Sequence, residues 1–278
     1  MIATAPDGAA LYYSDQKATA PQSEDDVVLW LQGLNAPGSA WAVQLAQFGR
    51  THRSIAPDGR GVGKSAATPG PYSTEQLAAD AIAVLDTCRV ERAHVVGLSL
   101  GGAVGQQLAL AHPGRVRSLA LLGTFPAQSP RAHALMQAWR ALFPLAHERP
   151  ELRQAWERQS YAWLFTDKFW RSESNMRAAL RFAAEQPLQS VAGFFGQTDA
   201  AMSHDVRARL PELRVPTAVI HGELDQLAPV EGARELARLI PNAELIVLPE
   251  VGHAVNLEAQ RAVNAALRTL WSRTAAAG

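Results

Sequence analysis

The chain predicts an α/β fold: a mostly parallel sheet with helices on both faces and a helical lid inserted after the sixth strand. Three observations predict it. Short β-branched, apolar runs alternate with longer stretches whose apolar residues recur at helical spacing, the pattern of strand–helix–strand units. The alternation stops between about Pro126 and Asp205, where aromatic residues interleave with arginines and no strand pattern is found. At one strand-to-helix junction, Gly97-Leu98-Ser99-Leu100-Gly101 sets a serine between two glycines.

Taken in order, residues 11–13, following Asp7-Gly8, predict an antiparallel edge strand. Residues 27–31, 52–56, 93–97, 116–122, 217–221 and 244–248 predict the remaining strands, because near-continuous apolar runs suit strands covered on both faces. Residues 41–48, 74–88, 100–112 and 230–240 predict the intervening helices, each with an apolar stripe. Residues 1–125 and 206–278 therefore form one core, and residues 126–205 form a lid of amphipathic helices. Trp139, Phe143, Trp163 and Phe194 in that lid are the candidate substrate-binding side chains, an apolar roof over a pocket.

Composition narrows the function classes. A chain of 278 residues with 47% hydrophobic composition can bury a large core. Lys and Arg total 26 and Asp and Glu total 26, so no cationic surplus points to nucleic acid. Cys88 is the only cysteine, which excludes an intramolecular disulfide and a multi-cysteine metal site. The scattered histidines show no ligand pair at helical spacing, so neither metal nor cofactor is expected. The N-terminus has neither a basic start nor a continuous apolar core, and the apolar segment around residues 119–122 is far short of the ~20 residues needed to span a bilayer. A cytoplasmic protein without membrane contact is expected. Asp58-Gly59-Arg60-Gly61-Val62-Gly63-Lys64-Ser65 approaches a phosphate loop, but aspartate stands where that motif requires its first glycine; a turn after the preceding strand accounts for these glycines.

The serine carries the chemistry. A sharp strand-to-helix turn projects Ser99 from the C-terminal edge of the sheet, and the flanking glycines remove side chains that would collide with it. Its hydroxyl needs a base, and the base needs a carboxylate that fixes its tautomer. On an α/β sheet these follow in the order serine, acid, histidine. Asp225 lies just past the strand at 217–221 and His253 just past the strand at 244–248. Glu223 competes with Asp225, which is favoured by the Pro229 turn that begins the next helix. The oxyanion needs two backbone donors: Leu100, directly after the serine, is one, and Leu34, in the loop after residues 27–31, is the candidate for the other.

With Ser99, Asp225, His253 and the Asp58–Ser65 loop in place, the chain resembles the α/β-hydrolase superfamily over nearly its whole length. Gly70-Pro71-Tyr72-Ser73, Glu91-Arg92-Ala93-His94 and Gly97-Leu98-Ser99-Leu100-Gly101-Gly102 are similar to 3-oxoadipate enol-lactone hydrolases and their lidded esterase relatives. The chain departs from that pattern at Gln32-Gly33, where the superfamily commonly carries His-Gly, and at Trp163-Leu164-Phe165-Thr166, which resembles an enol-lactonase segment without its arginine. Serine in the elbow separates it from haloalkane dehalogenases and epoxide hydrolases, similar folds with aspartate there.

The expectation is hydrolysis of a carboxylic ester or lactone through an acyl-enzyme on Ser99, with a small-molecule ester or lactone as its partner. Two alternatives stay open: carbon–carbon bond hydrolysis of a ring-cleavage product, and a non-catalytic ligand receptor on the same fold. A homo-oligomer also stays open.

Overall fold

The computed structural model describes residues 1–20 and 26–275. Strands β1 (Ile2–Thr4), β2 (Ala10–Gln16), β3 (Val27–Leu31), β4 (Arg53–Pro57), β5 (Ala93–Leu98), β6 (Val116–Leu122), β7 (Thr217–Gly222) and β8 (Glu244–Leu248) form one sheet in the order β1-β2-β4-β3-β5-β6-β7-β8. The pairs β1/β2 and β2/β4 are antiparallel and every other neighbouring pair is parallel. The segment read as an edge strand is thus β2, with β1 outside it; three residues are too few for a period to show in the sequence.

Period-two alternation sends the strand side chains to two separate cores. Leu29, Leu31, Val95, Leu119, Leu121 and Val219 pack on one face against Leu77 and Leu85 of α2 (Thr74–Thr87) and Leu108 of α3 (Leu100–Ala111). Val28, Trp30, Val96, Ala120, Leu122 and Ile220 fill the other face with Phe48, which ends α1 (Ala42–Phe48). The C-terminal helix adds Val263, Leu267, Leu270 and Trp271 to that second core. Their spacing lies on one helical face.

Between β6 and β7 the chain leaves the sheet and forms α4 (Pro130–Glu148), α5 (Pro150–Leu164), α6 (Asp167–Arg171), α7 (Glu173–Glu185) and α8 (Val191–Ser203). Four of these start on a hydroxyl that accepts an otherwise unpaired N–H: Ser129 from Ala132, Thr166 from Phe169, Ser172 from Asn175, and Ser190 from Gly193. An isolated antiparallel bridge between Ala127 and Asp205 draws the two ends of the insertion together. The chain returns to the sheet and ends with α9 (Val230–Leu239), α10 (Val255–Glu258) and α11 (Gln260–Ala275). Among the described residues no helix is long and apolar enough to cross a membrane.

The register gathers the loops that matter. Leu31 pairs with Gly97, Leu98 with Leu122, and Gly222 with Leu248, so the segments after β3, β5, β6, β7 and β8 emerge along one C-terminal edge. The chain reverses its direction of travel across the sheet between β3 and β5, which opens a crevice at that edge.

Candidate active site

Ser99 has φ 54° and ψ −120°, a region that L-residues rarely occupy. Its backbone is fixed on both sides: its N–H donates to Leu122 O at 2.9 Å, and its carbonyl accepts from Gly102 N, Ala103 N and Thr124 Oγ1. A serine beginning a helix ordinarily caps it, but Ser99 makes no side-chain cap bond, so its Oγ is not spent on α3. The strain holds the hydroxyl at the mouth of α3, where unpaired N–H groups and the positive dipole end converge.

The glycines around Ser99 have a different task from the one expected. A Cβ at Gly97 would stand 2.3 Å from Gly101 O, and one at Gly101 would stand 2.2 Å from Leu31 O. They let α3 pack directly on the backbones of β5 and β3. The glycine that clears space for Ser99 itself is Gly33, where a Cβ would stand 3.2 Å from Ser99 Cβ.

His253 Nδ1 lies 2.7 Å from Asp225 Oδ2, and both side chains are buried. The other Asp225 oxygen accepts the N–H groups of Leu227 at 2.9 Å and Ala228 at 2.8 Å, so the carboxylate is oriented by its own loop. Glu223, the competing acid, is exposed. A second histidine sits behind the acid: His221 Nε2 donates to Ala228 O at 2.7 Å and stands 3.4 Å from Asp225 Oδ2. Burial lowers the pKa of His221, and its Nδ1 has no partner among the described residues. Ser99 and His253 line the same cavity.

In the loop after β3, Gly33 N–H donates to the Gln32 side chain, Asn35 N–H to Gln197 Oε1, and Ala36 N–H to Gly33 O. Among the described residues, the N–H groups of Leu34 and Leu100 have no acceptor. Gln32, which stands where the superfamily commonly carries histidine, thus serves its own loop.

The cavity beneath the insertion has a volume of about 170 Å³ and opens to solvent. Trp139 and Phe194 line it, as do Trp156, Tyr161 and Phe182. Phe143 and Trp163 do not. Phe143 is fully buried behind Phe194, stacked on it at 4.1 Å between ring centroids, and Trp163 is covered by the Arg131 guanidinium. All are aromatic residues on helices, so spacing alone could not separate the wall from the layer behind it.

Gln197 and Glu258 each tie the insertion to the loops of the site. Gln197 of α8 accepts from Asn35 N at 3.0 Å and donates to Arg60 O at 3.3 Å. Glu258 accepts from Thr166 N at 2.7 Å and from Thr166 Oγ1 at 2.8 Å, and from Gly252 N at 3.4 Å, beside His253. The Asp58–Ser65 segment is a structural knot: Asp58 accepts from Gly38 N and Lys64 N, and the buried Arg60 pairs with Asp80 and Asp7. Those carboxylates raise the Arg60 pKa and keep it charged.

A family model described as the alpha/beta hydrolase fold matches residues 26–260. A protein of Pseudomonas syringae pv. syringae, named provisionally as the carbamate hydrolase RutD, is 30% identical over 264 residues, covering 93% of this chain and 98% of its own length. The 3-oxoadipate enol-lactonase 2 of Acinetobacter baylyi is 30% identical over 256 residues, 92% of each chain. The crystal structure of an enol-lactonase from Burkholderia xenovorans LB400 superposes with a TM-score of 0.85 at 27% identity, covering 98% of this chain and 100% of the other.

Proposed function

The chain belongs to the α/β-hydrolase fold family, and from that premise we propose that it is a serine hydrolase that cleaves carboxylic esters or lactones through an acyl-enzyme on Ser99. The observation that carries this reading is the 2.7 Å contact of Asp225 with His253 on the cavity that Ser99 lines, with Ser99 held at φ 54°. The names of the relatives support it, since an enol-lactone and a carbamate are both acyl compounds.

In this reading His253 takes the Ser99 proton as Oγ attacks the carbonyl carbon, and the imidazolium is stabilised by Asp225. The Leu34 and Leu100 N–H groups, which have no acceptor among the described residues, hold the oxyanion. His253 then gives the proton to the leaving alkoxide, accepts one from water as its oxygen attacks the acyl carbon, and returns that proton to Ser99 Oγ as the acid leaves. The insertion acts as a lid, with Trp139, Trp156 and Phe194 forming an apolar wall against the reacting ester.

Fluorophosphonate labelling tests the assignment. The intact protein is expected to be labelled at Ser99, and both labelling and ester turnover should be lost in Ser99→Ala and His253→Ala. Ester activity retained by Ser99→Ala would overturn it, and an intact protein that resists labelling would point to the receptor alternative. Faster turnover of a dienoate ketone than of a p-nitrophenyl ester would point to carbon–carbon bond hydrolysis.

A further inference from the structure

We propose that the Arg153–Glu157 pair makes the cavity selective for uncharged acyl substrates, with Glu157 the residue that turns carboxylates away; this rests on the hydrolase reading of the same cavity. An arginine in an apolar pocket would ordinarily suggest an anion site. Here its charge is already used. Arg153 Nε donates to Glu157 Oε1 at 2.7 Å, one turn along α5. Its Nη2 donates to Gln186 O at 2.7 Å, with Ala183 O at 3.4 Å and Ala184 O at 3.5 Å. Those carbonyls lie at the C-terminal end of α7, the negative end of its dipole. The guanidinium is therefore matched by one carboxylate and one helix terminus before any ligand arrives.

Both members of the pair line the cavity. Among the described residues, Arg153 is the only lysine or arginine that lines the cavity, and Asp225 adds a further negative charge behind His253. A substrate carboxylate entering this space would leave water, meet no uncompensated cation, and approach Glu157. The Tyr161 phenol responds to that environment: burial first, and the Glu157 charge second, push it up to about 12. It stays neutral and adds no charge of its own. The Nη1 edge of Arg153, without a protein partner among the described residues, suits an uncharged carbonyl or ether oxygen instead.

The test compares substrates that differ in one charge. One pair is p-nitrophenyl pentanoate and the p-nitrophenyl monoester of glutaric acid; the other is phenyl acetate and 4-acetoxybenzoate, so the carboxylate sits on the acyl side or on the leaving group. After correction for rates with hydroxide, the neutral member of both pairs is expected to have the higher kcat/KM by about tenfold or more, the effect of one poorly screened charge at close range. Glu157→Gln should shift the ratio toward the carboxylates by about tenfold, because the α7 carbonyls still hold Arg153 in place. Arg153→Met should shift it the other way. Two opposite shifts cannot arise from misfolding, which would lower both members of a pair together. Equal turnover of both members by the wild-type protein, or ratios unmoved in both variants, would overturn the proposal.

If no ester is hydrolysed, the hydrolase reading fails and charge selectivity is judged by titration calorimetry. Tighter binding of 4-phenylbutyramide than of 4-phenylbutyrate sustains it. Equal binding, a preference for the carboxylate, or no binding of either overturns it.

Discussion

Gln197, on the last helix of the insertion, accepts the backbone N–H of Asn35 at 3.0 Å across a separation of 162 residues. Asn35 has φ 61°, a left-handed conformation that asparagine tolerates better than most L-residues, and the bond from Gln197 fixes the loop after β3 in it. With the Asn35 amide taken up by Gln197, the Leu34 amide is left without an acceptor among the described residues. Gln197→Met keeps the bulk and removes the side chain's hydrogen bonds to Asn35, Arg60 and Gln189. It is expected to cost about 1–3 kcal/mol in denaturant unfolding and to lower kcat roughly tenfold or more, with a smaller effect on KM. A loss confined to KM would mean that Gln197 acts on ground-state binding.

Glu258 couples the insertion to His253 in a similar way, since Ala254 N–H also donates to Leu164 O at 3.0 Å. Glu258→Ala should lower kcat and speed hydrogen exchange at Thr166, whose amide loses its acceptor. Thr166→Val, which keeps the amide bond to Glu258 and removes the hydroxyl's bonds to Glu258 and Phe169, should have the weaker effect on both measurements. Equal exchange rates in wild type and Glu258→Ala would show that this tie is not maintained in solution.

Asp225 and Glu223 stand two residues apart but differ in burial, and only Asp225 touches His253. Asp225→Asn is expected to reduce kcat by about 10⁴-fold, because the amide supports the wrong imidazole tautomer. Glu223→Gln should change steady-state rates by no more than about twofold. A large loss in Glu223→Gln would reassign the acid.

Acid stability follows from the buried histidines. Burial pushes His204 down to about 4 and His94 down to about 3 from an ordinary value near 6.5, and lowers His221 as well. Each is neutral when folded, whereas the unfolded chain takes up a proton below pH 6.5. The stability they support is complete above that pH and falls as pH drops toward the folded-state values, by up to about 1.4 kcal/mol per pH unit for each histidine. His204→Gln should flatten the unfolding free energy between pH 6.5 and 4 by close to one proton. An unchanged slope in urea titrations across that range would refute a buried neutral His204.

The parts of the site legible in the sequence are those marked by local chemistry. Ser99 stands in a turn signature, and Asp225 and His253 each follow an apolar strand, so chain order and strand ends put them forward as candidates. Gln197 and Glu258 carry no such mark: each is an ordinary polar residue on a helix whose partner lies far away in the chain. The aromatic residues of the insertion fail for another reason. Phe143 and Phe194 satisfy the same pattern, and only the stacking of one behind the other decides which faces the cavity.

By itself, the sequence determined the alternating α/β architecture and the helical character of the 126–205 stretch, and it put forward the three side chains proposed for acyl transfer. These follow from periodicity and turn chemistry, which act over a few residues. Only the tertiary structure decided that Gly97 and Gly101 serve helix–sheet packing, that Gln197 holds the loop of Leu34, and that Arg153 meets the cavity with its charge already paired. Those outcomes depend on which backbones approach, which amides remain without acceptors and which charges are matched, and such quantities exist only once distant segments share one space.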